Sequence, residues 1–499
     1  AHFDANPSAE SYSLGINDGG ANTWCRCEDC LAAYSGETNF IGTEDYSDPY
    51  YAWCGEVIDG VLAAHPDAWF GCLAYNNVID PPASGRVHDR LIPYITIDRM
   101  QWADAQRRDR GRAFNERWEA AADTLGWYDY IYGRQYQLPR VYFHQMAENL
   151  RYGRDHGVRA FYAEAYPNWG EGPKLYVTTK LLWNPDADVD ALLDDWYRAF
   201  AGEAAADDVA RYFAHWEDFW TRRILEADWF VESQYLPFYS QAYMAEVSLE
   251  EMAGCRGWLE SALAKTETDS QRARVAGLIE AFDGYESAFL HYLLNTADDP
   301  AEELASFLDG AGNSRIAGRA EALLGILSGE TTPVTRNPSF ETADGEGKPH
   351  NWTLWVKPLG DPPYGTMERV QGDARTGEYY IAIEGLKRGG PVQAMVLEPG
   401  RYVMVAGYRL HQVLERNRLE LSITLKAEGG ADLSFGAHSQ TVNVDMLPGP
   451  WRVATRSFGV PDAVGGTPVA AVQFAAVVEH MTPGQRLDLD DIAIYRMPD

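Results

Sequence analysis

Glu164 ends an apolar run, Val158-Arg159-Ala160-Phe161-Tyr162-Ala163-Glu164, and opens onto Ala165-Tyr166-Pro167-Asn168-Trp169-Gly170. A carboxylate at the end of a short strand, before an aromatic loop with Pro and Gly, is placed where (β/α) barrels keep catalytic acids. Asp18 stands in the same relation to the run over residues 11–17 and to Gly19-Gly20. Glycoside hydrolysis needs two such groups: one protonates the leaving oxygen, the other activates water or attacks the anomeric carbon. Glu164 is therefore expected as general acid/base and Asp18 as the partner that orients or stabilises, with the reverse assignment open. Asp98 and Asp129 are rivals, although Asp129 lies inside an apolar strand where a buried hydrogen-bonded pair is expected. Asn17, Asn76, Trp102, Tyr132, Arg134, Tyr136 and Trp169 fall in strand-end loops, where polar contacts and ring stacking would hold a sugar. Arg134 suits the carboxylate of a uronic acid.

Positioning these groups requires strands and helices in alternation. Strand-like runs cover residues 11–17, 69–75, 91–98, 127–132 and 158–164, with amphipathic helices over 51–64, 112–124 and 141–155. That is the pattern of a parallel α/β sheet. A closed barrel of this type has eight strands, so the expected fold is an α/β one comprising only the C-terminal five βα units of a (β/α)8 barrel. Such a sheet would leave an edge and an apolar face open. Residues 186–330 carry helical stripes, among them Val189, Leu192, Leu193, Trp196, Tyr197 and Phe200, with further helices over 207–225, 249–264, 270–295 and 301–308. After Thr331-Thr332-Pro333-Val334, strands over 401–410, 418–427, 452–460, 469–478 and 486–496 predict an antiparallel β-sandwich. The expected domains are a partial barrel at 1–185, a helical extension at 186–330 and a sandwich at 331–499.

Composition narrows the partners. Net charge is -32, which disfavours nucleic acid and anionic membranes, and no apolar run is long enough to span a bilayer. Aromatic residues reach 13%, with 16 Trp and 29 Tyr, a stock of flat amphipathic faces that suits a glycan or polysaccharide partner. The chain begins Ala1-His2-Phe3-Asp4 rather than with Met, implying processing or excision from something longer. A secreted, cell-surface or periplasmic location is expected; oligomeric state is not legible. Three of the six Cys cluster as Cys25-Arg26-Cys27-Glu28-Asp29-Cys30. Zinc with a fourth ligand such as Cys54, a disulfide, or free structural thiols all remain open.

Ser13-Leu14-Gly15-Ile16-Asn17-Asp18-Gly19-Gly20, followed by Trp24 and the cysteine run, resembles the family catalogued as domain of unknown function 4838. So do Trp127-Tyr128-Asp129-Tyr130, Leu138-Pro139 and Tyr162-Ala163-Glu164. That resemblance implies kinship with α-glucuronidases and β-N-acetylhexosaminidases. One branch is glycoside hydrolase family 163, endo-β-N-acetylglucosaminidases acting on N-glycans. Closely spaced acids are associated with that branch, whereas the positions two away from Glu164 are Tyr162 and Tyr166. The C-terminal part, from Asn337-Pro338-Ser339-Phe340-Glu341 and Trp352 to Leu489-Asp490-Asp491-Ile492, is similar to carbohydrate-binding modules of the family 4/9 type. This implies Glu341 and Asp490 as ligands of a structural calcium. No cofactor is expected for catalysis. The resulting expectation is a glycoside hydrolase for a complex glycan or polysaccharide, β-N-acetylglucosaminide-containing substrates included. The alternatives are a non-catalytic carbohydrate-binding protein and, last, a hydrolase using a metal on the cysteine cluster.

Overall fold

The computed structural model describes residues 2–18, 24–34, 36–83, 85–131, 136–165, 168–231, 233–238, 240–311, 315–414, 418–433 and 441–498. They form two compact units, Ala1–Phe238 with Ala245–Phe282, and Tyr239–Met244 with Asp283–Asp499.

The first unit is built on five parallel strands, β1 (Ser11–Ser13), β2 (Trp69–Ala74), β3 (Leu91–Thr96), β4 (Leu125–Tyr130) and β5 (Val158–Glu164), which pair in sequence order. A closed barrel is not formed by these strands. Helices Ser47–Leu62, Ala105–Ala121 and Phe143–Asp155 lie between them in sequence. One sheet face is the core: Phe70, Cys72 and Ala74 of β2 join Leu91, Ile95, Leu125 and Trp127 against Cys54, Ile58, Phe114 and Trp118 of the helices. The alternation in β2 follows from the two-residue repeat of a strand. The opposite parity carries tyrosines. Leu73 pairs with Tyr94, Tyr94 with Gly126, Tyr128 with Tyr162, and Tyr130 with Glu164. Gly126 is obligatory there, because a Cβ would stand 2.6 Å from the Tyr94 ring.

Predicted β1 over 11–17 is shorter than expected. Only Ser11–Ser13 join the ladder, after which Leu14 N–H donates to Gly71 O at 2.8 Å and the chain leaves the sheet. Beyond β5 come helices Lys174–Trp183, Val189–Ala201, Ala206–Thr221 and Leu249–Lys265. The last starts at a capping box in which Ser248 and Glu251 satisfy each other's backbone N–H. Helix Asp269–Thr296 carries the chain from the first unit into the second.

The second unit is an antiparallel sandwich. Its strands are β6 (Thr353–Val356), β7 (Thr366–Gln371), β8 (Tyr379–Glu384), β9 (Arg388–Met395), β10 (Gly400–Leu410), β11 (Arg418–Lys426), β12 (Thr441–Asp445), β13 (Arg452–Val460), a small hairpin of β14 (Ala463–Val464) and β15 (Thr467–Pro468), β16 (Ala471–Glu479) and β17 (Arg486–Arg496). One sheet has the order β13-β10-β17-β8-β7, the other β12-β11-β16-β9-β6. Their inner faces share one core, including Ile381, Met404, Leu421, Ile423, Phe474, Leu487 and Leu489. Val403, Val405 and Val453 face the other way and pack on Leu290, Leu294, Leu304, Ile316 and Leu323 of the helices. Burial on both sides explains why β10 is apolar almost continuously instead of alternating. Helices within the predicted 186–330 stretch thus contribute to both units.

Candidate functional site

Glu164 is the last residue of β5, on the tyrosine-bearing face of the sheet, and Asp18 lies five residues beyond the end of β1. Asp18 is exposed and Glu164 half-buried. Each carboxylate is held by a phenol. Tyr75 OH donates to Asp18 Oδ1 at 2.9 Å, and Tyr128 OH donates to Glu164 Oε1 at 2.8 Å. Tyr128 sits in a row of rings, 5.6 Å from Tyr130 and 5.0 Å from Tyr162, and Tyr130 lies 5.4 Å from Tyr235. Burial pushes the Tyr75 hydroxyl well above its ordinary range, and then the Asp18 bond and the charges of Asp18 and Glu164 push it the same way. Tyr130 is raised similarly, first by burial and then by its tyrosine neighbours and Glu164. These phenols stay protonated at neutral pH and serve as donors. A carboxylate fixed by a neutral donor keeps lone pairs for a substrate proton.

The rival acids are structural. Asp98 is buried and takes both oxygens to Arg140 Nη2, at 2.6 and 2.7 Å. Asp129 accepts the N–H groups of Arg99 and Tyr130, at 3.1 and 2.8 Å, and lies 3.6 Å from the Arg99 guanidinium. Burial pushes its carboxyl up to about 6 against the pull of Arg99. A third buried pair joins Lys174 to Glu171, and Lys174 Nζ also donates to Arg140 O at 2.8 Å. Three acids and three bases thus close a neutral network, so none is left for exchange with a substrate.

The remaining expected contacts divide. Asn17 is exposed beside Asp18. Trp169 is 78% exposed at the start of the short helix Trp169–Glu171. Asn76 adopts a left-handed backbone, φ 53°, and its carbonyl accepts Asn39 Nδ2 at 2.8 Å, which makes it a turn residue. Two expectations are corrected. Trp102 is 2% exposed, edge-on to Trp127 and Tyr152, in space that Gly111 leaves open. Tyr136 is 2% exposed against Trp220, with Arg140 over its ring. Both are core. Tyr132 and Arg134 lie outside the described residues. Tyr75, Tyr128, Tyr130 and Tyr235 were not singled out from sequence. The alternation Trp127-Tyr128-Asp129-Tyr130, with Tyr128 and Tyr130 on one face, is the signal that could have found two of them.

All six cysteines are free, and the ligand atoms of Cys25, Cys27 and Cys30 lie within 4.8 Å of one another. Cys27 is lowered by the Cys30 backbone N–H and then by the neighbouring thiols, while Cys30 is pushed up to about 12 by its bonds to Cys25 and Cys27. Cys54 cannot join them: it is fully buried in the core, and burial pushes its thiol up to about 12.

In the second unit Glu341 and Asp490 turn to the same loop. Glu341 Oε1 accepts the N–H groups of Glu378 and Tyr379, both at 2.9 Å. Asp490 accepts those of Arg375, Thr376 and Asp491, at 2.8, 3.1 and 2.7 Å. Burial, then the Asp491 charge, pushes Asp490 up to about 7. Among the described residues, no group of three Cys, His, Asp or Glu ligand atoms forms there. Nearby, buried Asp488 Oδ2 meets Arg409 at 2.8 Å and His411 at 2.7 Å, while Oδ1 meets Arg486 at 2.9 Å. The Arg409 guanidinium also lies 4.6 Å from the Trp451 ring centre.

Among the described residues, no helix is long and apolar enough to cross a membrane. No curated protein matches the sequence. Among solved structures, the chain is similar to the enzymatically active domain of bacteriophage CBA120 tailspike protein 4, at 12% identity and TM-score 0.25, over 33% of this chain and 21% of that one. A carbohydrate-binding module, TmCBM61, in complex with β-1,4-galactotriose is similar at 16% identity and TM-score 0.23, over 33% and 99%. The arabinose-bound α-L-arabinofuranosidase MgGH51 is similar at 11% identity and TM-score 0.25, over 33% and 26%. Residues 1–214, which include every strand of the parallel sheet, match the family model described as Domain of unknown function (DUF4838).

Proposed function

We propose that the first unit is a glycoside hydrolase for a complex glycan or polysaccharide, with Glu164 as general acid/base and Asp18 as the orienting or stabilising partner. What supports this reading is that two carboxylates at one sheet are each held by a tyrosine hydroxyl, Asp18 by Tyr75 just after β2 at 2.9 Å and Glu164 at the end of β5 by Tyr128 at 2.8 Å. Tyr128 aims Glu164, so one oxygen is fixed while the other addresses the glycosidic oxygen or a water. Tyr162, 59% exposed, and Trp169 supply open rings on which a sugar stacks. An N-acetyl sugar would supply its own nucleophile, leaving Asp18 to orient the amide. The second unit accompanies it as a carbohydrate-binding module. A structural calcium in it would use Glu341, whose Oε2 takes no hydrogen bond among the described residues, and Asp490.

The test is a screen of the protein and of Glu164→Gln against N-glycans, chitooligosaccharides and glucuronoxylan. Turnover lost with glycan binding retained supports the assignment. Binding without turnover in the parent protein favours the non-catalytic reading, to which the exposed Tyr162 and Trp169 rings also lend themselves. For calcium, chelator-treated protein should gain thermal stability in the second unit when the ion is restored, and Glu341→Gln should abolish the gain. No shift in Tm would remove the assignment.

A further inference from the structure

Residues 24–34, which include the short helix Glu28–Ala33 that carries Cys30, contain a feature that glycan chemistry does not use. Cys25, Cys27 and Cys30 bring three ligand atoms within 4.8 Å of one another, and all three side chains reach the surface, being exposed or half-exposed. The backbone carrying them is anchored. Tyr34 OH donates to Cys25 O at 2.7 Å, and the Tyr34 ring stacks on Tyr46 at 4.0 Å. Trp24 meets Tyr46 edge-on at 4.8 Å, and Arg26 pairs with Glu44 at 2.6 Å. Tyr46 in turn donates its N–H to Asn77 O at 2.8 Å. The three thiols are thus presented by a segment tied to the core of the first unit.

We propose that Cys25, Cys27 and Cys30 bind one zinc-type divalent ion as three thiolates. A tetrahedral zinc ion with Zn–S near 2.3 Å holds its sulfurs about 3.8 Å apart, so closing the observed triangle needs shifts of about 1 Å. Thiolates select a borderline-soft ion over calcium or magnesium. A disulfide would use only two of three convergent sulfurs and require them about 2 Å apart. Among the described residues no fourth Cys, His, Asp or Glu joins the group, so the fourth position belongs to solvent or to an added ligand. Each thiol gives up its proton on binding, and the bound ion closes the segment 24–34 on itself.

Anaerobic titration of the reduced protein with cobalt(II) tests this. One equivalent should bind and give intense thiolate-to-cobalt charge transfer with tetrahedral visible bands, and zinc should displace it. Cys54, Cys72 and Cys255 are buried and should not contribute. Each of Cys25→Ser, Cys27→Ser and Cys30→Ser should weaken binding by at least about tenfold, a loss that even an outer partner of a metal ligand can cause. Because a substituted loop can misfold, the unaltered protein provides a second measurement. Stoichiometric zinc should protect these three thiols from alkylation, read residue by residue by mass spectrometry, whereas calcium should not. Absence of a saturable tetrahedral cobalt spectrum together with unchanged alkylation overturns the proposal. So does a spectrum that survives replacement of all three cysteines.

Discussion

Glu164 in the first unit and Asp488 in the second are both strand carboxylates, yet their partners make them different instruments. Glu164 is half-buried and takes one bond from the neutral Tyr128 hydroxyl. Asp488 is fully buried and meets Arg409, His411 and Arg486. A buried carboxylate bonded to two arginines is committed to holding the fold, since removing it takes away the partner of both. One steadied by a phenol remains available to a proton. The same contrast recurs inside the first unit, where Asp98 and Asp129 face arginines while Asp18 faces Tyr75. Partner chemistry, more than position on a strand, distinguishes the two kinds of acid, and the proposed catalytic pair falls on the phenol-held side.

Substitutions can break this comparison. Glu164→Gln should cost about 10²–10⁴ in kcat, the usual worth of a positioned acid or base, with Tm unchanged. Asp488→Asn should do the reverse: stability of the second unit falls by about 1.5–3 kcal/mol in denaturant unfolding, the worth of hydrogen bonds to charged groups, while the first unit's kcat holds. A large activity loss from the second or a large stability loss from the first would invert the assignment.

pH should separate the units as well. Burial pushes His291 down to about 3, between Thr455 and Ser457 hydroxyls at 2.7 Å. Below its ordinary value the unfolded chain takes up a proton that the folded one refuses, so the second unit loses stability as pH falls from about 6.5 toward 3. His144 is pushed up to about 9, first by its hydrogen bond to Glu217. Its contribution is full below about 6.5 and fades as pH rises to about 9, and it is smaller because the ring is half-exposed. Hydrogen exchange resolved by unit should show the acid-side loss in the second unit and the alkaline-side loss in the first. His291→Asn and His144→Asn should flatten the respective limbs.

The smallest expected effect is the sharpest. Tyr128→Phe removes the donor to Glu164 but leaves the ring, so kcat should fall about tenfold with a stability change near 1 kcal/mol, the ordinary worth of one hydrogen bond. An unchanged kcat would mean that Glu164 needs no aiming.

The five parallel strands were legible because short apolar runs alternated with helical stripes, and Glu164 does end β5, whereas β1 stops at Ser13, five residues before Asp18. The phenols that hold the two acids were not legible. Tyr75 and Tyr128 reach their carboxylates from different strands, and such pairings depend on register, which local sequence does not contain. Trp102 and Tyr136 look from sequence like loop aromatics open to a ligand; only packing, such as the space beside Gly111, shows them inside. In the second unit β10, β11 and β17 were readable from long apolar or alternating runs. Strands β6 to β9 escaped notice because β6 is only half-buried and β9 carries Gly389, Gly390 and Pro391, residues that usually interrupt a strand.

Gly126 has a consequence for anyone reshaping this face. Its missing side chain is the recess into which the Tyr94 ring settles, so even alanine would lift that ring toward the row formed by Tyr128 and Tyr162. Libraries that aim to change what the first unit accepts should leave position 126 alone and vary Trp169, whose ring is 78% exposed.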